Sequence, residues 1–309
     1  MLDVDWTKRQ LLILPFDHRG SFMKKLFGIS GRLPMEEETS EISRYKMIIY
    51  EGFKQAVEKG VPKEIAGILV DEQFGSAILR DAKQNGITFA IPCEKSGQDE
   101  FDFEYGEQFG EHIEKFDPSF AKVLVRLNPE DDAGMNQRQL ARLKQLGDYL
   151  KSKNRAYLFE LLVPANEAQL KQASDQTTYD RDVRPKLMVQ AIAQIQKAGV
   201  EPDIWKLEGV EKGEDAKGLA RQVQAAGRKA GMITLGRGES KEKVQEWLKV
   251  GAKIPGIIGF AVGRTIFWDA LKGLKEGKHD KAAAVQAIAN NYYDFVQLWM
   301  SEKQNLLDR

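Results

Sequence analysis

An α/β fold, a single (β/α)8 TIM barrel with a C-terminal helical extension, is what this sequence of 309 residues predicts. Three observations lead there. Short apolar, β-branched runs alternate with long charged segments whose apolar residues recur three or four apart. Eight such runs follow one another with no linker or low-complexity stretch between them. The first run opens on Asp17-His18-Arg19-Gly20 rather than on GxGxxG, which argues against a doubly wound dinucleotide fold. Residues 1–309 read as one domain. A length prior of ~150 residues per domain would allow two, but α/β barrels often run as one at this size.

The strands expected in order are LLILPFD (11–17), IAGILVDE (65–72), GITFAIPCE (86–94) and FAKVLVRLN (120–128). AYLFELLVP (156–164), DIWKLEG (203–209), GMITLGRG (231–238) and GIIGFAVGR (256–264) complete the eight. Helices are expected over 38–60, 136–154, 183–199, 213–231 and 240–253. The first of these ends on Gly60 after Lys59, a C-terminal stop signal. Residues 281–304 form one long amphipathic segment, the helical extension, whose aromatic part could cover the bottom of its own barrel or of a partner's. That last possibility is the basis for expecting a homo-oligomer.

Composition excludes several functions. Forty-six basic residues balance 46 acidic ones, so no basic excess points to nucleic acid or an anionic membrane. The N-terminus lacks the apolar core of a signal peptide, and IPGIIGFAVG is too short to span a bilayer. One cysteine, Cys93, offers neither a disulfide nor a cysteine metal site, which fits a cytoplasmic protein. Of three histidines, His112 and His279 lie in polar segments and are expected to be solvated, leaving His18 alone well placed. No histidine-rich zinc site is expected, and no cofactor.

Barrel active sites form at the C-terminal ends of the strands. The charges expected there are Asp17, His18 and Arg19, then Asp71 and Glu72, Glu94 and Lys95, and Arg126, with Lys122 further back. Charges at strand ends abut solvent, so taken singly most have a plain structural reading. Glu160 and Lys206 differ, because each sits in an apolar run, YLFELLV and IWKL. A charge inside a strand is costly unless paired. A structural Lys–Glu pair is one explanation and a chemical task is the other. Alternation puts Ile204, Lys206 and Glu208 on one face and Trp205 and Leu207 on the other. The bulky residues belong outside against helices, which turns Lys206 to the barrel axis. A lysine amine in a dry interior, beside a second cation, gives up its proton more readily, and a neutral amine attacks a ketone to form a Schiff base. The last two strands end in Gly236-Arg237-Gly238 and Gly263-Arg264. Glycine amides, a helix N-terminus and an arginine at this corner suit phosphate, although the glycines could equally serve only turns and packing.

These residues carry a resemblance. FDHRGSF, ILVDEQFG, AKVLVRLNPE, LFELLVP, DIWKLEGV and GFAVGRTIFW resemble the class I, Schiff-base aldolases of the tagatose-1,6-bisphosphate aldolase type. The family has glutamine where this chain has His18, and glutamate where it has Gln73. LPFDHRGSF, VDEQFG, PDIWKLEG and GFAVGRTIFWDAL are more similar still to a domain often fused behind the sugar kinase of inositol catabolism. That domain is assigned as 2-deoxy-5-keto-D-gluconate-6-phosphate aldolase, and the resemblance leads us to expect it here standing alone, without the kinase. The resemblance implies a phosphorylated keto-sugar substrate, Lys206 as the Schiff-base lysine, Glu160 as proton shuttle, Asp17 as orienting group and Lys122 as the neighbouring cation. It implies a phosphate contact from Gly263 and Arg264, while their place at the strand ends makes Gly236 and Arg237 further phosphate candidates and Asp71 and Arg126 further candidate substrate contacts. His18 or Arg19 would meet a substrate carboxylate. The products would be dihydroxyacetone phosphate and malonate semialdehyde. Two other readings stay open: a metal-assisted lyase or isomerase with Asp71, Glu72 and Glu160 around magnesium, and a non-catalytic sugar-phosphate-binding protein.

Overall fold

A computed structural model describes residues 4–307. The strands are β1 (Leu11–Pro15), β2 (Ala66–Leu69), β3 (Thr88–Pro92), β4 (Phe120–Arg126), β5 (Ala156–Leu162), β6 (Ile204–Glu208), β7 (Gly231–Leu235) and β8 (Ile257–Ala261). Each pairs in parallel with its sequence neighbours, and β8 returns to β1 through Leu12 opposite Phe260, closing the barrel. The expected (β/α)8 fold is the observed one. The helices that flank it are α1 (Glu36–Glu58), α2 (Glu72–Gln84), α3 (Phe109–Phe116), α4 (Ala133–Ser152), α5 (Arg184–Lys197), α6 (Gly213–Val223), α7 (Lys241–Ala252) and α8 (Arg264–Lys275). The chain then runs into α9 (Lys281–Leu307).

Period-two alternation sorts the strand residues into two cores. Leu11, Ile13, Leu69, Phe120, Leu158, Ile204, Ile233 and Ile258 fill the barrel interior. Leu12, Leu14, Phe159, Trp205, Leu207 and Phe260 face outward against the helices. Each such buried side chain contributes roughly 1.5–3 kcal/mol relative to exposure. Trp205 outside and Ile204 inside leave Lys206 on the inner face, one layer above the apolar plug. At the β8–β1 seam Gly259 is required by space, since a Cβ there would run into the Leu11 carbonyl.

Three of these flanking helices go beyond the predicted set: α2, α3 and α8. Two of them start directly at a strand end, where the run of apolar residues hides the change of period. Strand β2 is correspondingly shorter than 65–72, because the Asp71 side chain accepts from the Phe74 amide at 2.9 Å and caps α2. The segment expected as helix over 213–231 ends at Val223, before a left-handed Ala226. The long C-terminal helix α9 covers its own barrel. It lies along the outer face of β8, where Phe260 meets Tyr292, Phe295 and Trp299 at 6.3–6.4 Å between ring centres. The Tyr292 hydroxyl donates to the Leu12 carbonyl at 2.6 Å. Among the described residues no helix is long and apolar enough to cross a membrane.

Candidate active site

Strand β1 runs to Pro15, and the chain just beyond it delivers Asp17 to the barrel mouth. There it meets Lys122 from the middle of β4, Glu160 from β5, Lys206 from β6 and Glu94 from just beyond β3. All five are nine-tenths or more buried at the floor of a cavity of about 400 Å³. The Lys122 ammonium touches three carboxylates: Asp17 Oδ2 at 2.9 Å, Glu94 Oε1 at 2.7 Å and Glu160 Oε2 at 3.0 Å. The Lys206 ammonium touches one, the same Glu160 Oε2, at 2.9 Å. Two lysines thus converge on one carboxylate oxygen.

The electrostatics follow from this crowding. Burial alone would raise the Asp17 carboxyl, but the Lys122 and Lys206 cations more than offset it and hold it far below its usual range. Glu160 behaves the same way, burial opposed and outweighed by the two lysines. Burial would lower Lys122, yet Asp17, Glu160 and Glu94 together keep it well above the ordinary lysine value, a fixed cation. Glu94 is the exception. Burial raises it despite Lys122 and Arg19, and its Oε2 has no hydrogen-bond partner.

Around this floor stand other residues the sequence singled out. His18 lines the cavity with its Nδ1 buried and unpartnered. Burial, aided by Arg264 and Lys206 and opposed by Asp17, pushes its imidazole down to about 4. Arg19 also lines the cavity, but its guanidinium is engaged elsewhere, with Glu104 Oε2 at 2.7 Å and the Glu94 carbonyl at 2.6 Å. Arg126 at the end of β4 lines the cavity and donates from Nη1 to the Gln98 carbonyl at 2.7 Å. Asp71 is not at the cavity. It is 1% exposed, ion-paired to the fully buried Lys46 of α1, and caps α2, so its expected place among the substrate contacts is corrected.

The far corner is built by β7 and β8. Gly236, Gly263 and Arg264 line it, with Arg264 at the first position of α8. The Arg264 guanidinium pairs with no carboxylate among the described residues and donates to the Arg237 carbonyl at 2.8 Å. Gly238 lies flat against it: a Cβ there would stand 2.7 Å from the Arg264 Cζ. Arg237 lines the cavity, but its side chain is committed to Asp180 Oδ2 at 2.7 Å and Glu208 Oε1 at 3.2 Å.

The carboxylates considered around magnesium are not gathered. Asp71 is held by Lys46, and Glu72 by His112 Nδ1 and Lys115 at 2.6 Å each. Among the described residues no three His, Cys, Asp or Glu side chains group as metal ligands. His112 is also less solvated than expected, stacked on Tyr105 at 3.4 Å, and His279 bonds the Ala270 carbonyl at 2.7 Å. Sequence reasoning gave no role to Glu94, whose only signal was a charge following an apolar run, or to Lys46 and Asp180, which lie in helical segments with no strand to place them. A second cavity of about 370 Å³ opens at the opposite, N-terminal end of the barrel, beside Trp6, Tyr157 and Asp203. Among its lining residues there is no lysine–carboxylate pair on a barrel strand; the Lys206–Glu160 pair lies at the other end.

Comparison with known proteins agrees with the fold. A fructose-bisphosphate aldolase from Plasmodium falciparum, solved in complex with TRAP and a small-molecule inhibitor, superposes with a TM-score of 0.65 at 15% identity, over 96% of this chain and 92% of that one. Cgl0159 from Corynebacterium glutamicum superposes with a TM-score of 0.56 at 18% identity, over 92% and 86%. At such identities the likeness is one of fold. No curated protein matches the sequence. One family model does, over residues 4–303, described as an uncharacterized protein conserved in bacteria (DUF2090). That span takes in every strand of the barrel and every residue of the cavity floor, and by it the chain belongs to the DUF2090 family.

Proposed function

We propose that this chain is a class I aldolase that cleaves a phosphorylated keto-sugar acid through a Schiff base on Lys206. The observation that carries the reading is the asymmetry of the two lysines. Lys122 is tied down by three carboxylates, whereas Lys206 is held by Glu160 alone and faces the cavity. A nucleophile needs such freedom, and a fixed cation beside it needs such restraint.

In this reading Glu160 takes the Lys206 proton, and the free amine adds to the substrate ketone. Glu160 returns a proton to the carbinolamine oxygen, which leaves as water and yields the iminium. The iminium accepts the electron pair of the breaking carbon–carbon bond. The neighbouring hydroxyl surrenders its proton to Glu160, the aldehyde departs, and the enamine left on Lys206 is protonated at carbon and hydrolysed by water to release dihydroxyacetone phosphate and the free amine. Asp17 and Lys122 orient the substrate oxygens. Arg264, with the amides near Gly236 and Gly263, holds the phosphate, and its want of an acidic partner supports an anionic ligand there. By the sequence resemblance the substrate is 2-deoxy-5-keto-D-gluconate 6-phosphate, giving dihydroxyacetone phosphate and malonate semialdehyde. A coupled assay for triose phosphate release tests this. Turnover undiminished by a strong chelator is expected. Turnover abolished by the chelator and restored by magnesium would transfer the chemistry to a metal.

A further inference from the structure

Arg237 is a non-glycine residue in the left-handed region, at φ +54°. A side chain disfavours that conformation, so something must hold it. Its guanidinium supplies the hold. Asp180, in the helical turn before α5, binds Nη1 at 2.7 Å, and Glu208 at the end of β6 binds Nε at 3.2 Å. Both acids are themselves fixed by the buried Arg184: Asp180 Oδ1 lies 3.1 Å from its Nε and Glu208 Oε2 lies 3.7 Å from its Nη1. Glu208 Oε2 also accepts from the Val163 amide at 3.1 Å. Two arginines and two carboxylates close a neutral network that spans the loops after β5, β6 and β7.

The output of that network is a backbone atom. With Arg237 left-handed, its carbonyl accepts from Arg264 Nη2 at 2.8 Å, and Gly238 packs flat on the same guanidinium. Resting on the phosphate site of the proposed function, we infer that Asp180 and Glu208 are positioning residues for anion binding. They strap the Arg237 side chain so that its strained backbone presents a carbonyl that aims Arg264 at the phosphate. Neither acid touches the ligand.

Inorganic phosphate is the probe, titrated by calorimetry at pH 7.5 against the full chain. D180N loosens the strap, the backbone of Arg237 relaxes, and phosphate affinity falls about tenfold, roughly the factor a left-handed residue costs. Glycine adopts the same backbone without a strap. The double variant D180N/R237G therefore binds phosphate to within about twofold of R237G alone, because with glycine at 237 Asp180 has no strained backbone left to hold. A merely structural role for Asp180 would make the double variant worse, and that result overturns the inference. So does D180N binding phosphate like wild type while wild type binds it well, which leaves the phosphate site standing. Failure of wild type to bind phosphate would remove both the site and its strap.

Discussion

Lys122 and Lys206 share an oxygen of Glu160 but carry different loads, and this separates their variants. Lys122→Met leaves Asp17, Glu94 and Glu160 crowded without their common cation, and breaking a buried pair in this way costs about 3–5 kcal/mol. Lys206→Met leaves Glu160 still bound to Lys122, so urea denaturation should show a much smaller loss, on the order of 1 kcal/mol. Yet Lys206→Met should lower turnover by at least about a thousandfold, because the proposed covalent route is gone. A Lys206→Met protein that is both active and strongly destabilised would mark the residue as a structural pair member.

His18 gives a pH dependence with a definite sign. Its imidazole titrates at about 4 in the folded chain against an ordinary 6.5. Between these values the unfolded chain binds the extra proton, so stability rises with pH. The contribution is fully present above about pH 6.5 and is lost as pH falls toward 4. Discounted for the open cavity beside it, it amounts to about 2 kcal/mol. Urea midpoints at pH 7.5 and pH 5 should therefore converge in His18→Gln relative to wild type. An unchanged difference would mean that His18 is already protonated or well solvated in the folded chain.

At the scale of elements, the seam between β8 and β1 depends on the absence of a side chain. Gly259→Ala drives a methyl into the Leu11 carbonyl, and backbone there has no room to yield. Overpacking of this kind costs ~1–3 kcal/mol or more, and the loss should appear as a lowered thermal midpoint. Helix α9 works on the same seam from outside, through Tyr292 to the Leu12 carbonyl and through Phe260. Tyr292→Phe leaves that carbonyl one donor short and should cost about 1 kcal/mol, with turnover unchanged. A fall in turnover without a fall in stability would tie α9 to the cavity by some other route.

For the whole molecule, most of the barrel was legible because its signals are local and repeated. Apolar runs at strand spacing place β1 to β8, and Trp205 beside Lys206 tells which way the lysine turns. The cavity floor was legible for the same reason: Lys122, Glu160 and Lys206 stand within apolar strands, where a charge has to be explained. What was hidden depends on residues far apart in the chain. Asp71 reads as a rim charge until Lys46, 25 residues away on α1, is seen to occupy it. Arg237 reads as a phosphate ligand until Asp180 and Glu208 take its guanidinium. Glu94 follows a strand like any solvent-edge acid, and only the parallel pairing of β3 with β4 brings it 2.7 Å from Lys122. Contacts between separate elements leave no periodic trace in sequence.

Borohydride trapping tests the central claim most directly. The full chain is incubated with dihydroxyacetone phosphate and reduced, and the adduct is located by intact mass and peptide mapping. Schiff-base chemistry predicts a single reduced adduct on Lys206, absent from Lys206→Met. An adduct on Lys122 would reverse the roles of the two lysines. No adduct with this ketone or with 2-deoxy-5-keto-D-gluconate 6-phosphate would contradict the mechanism.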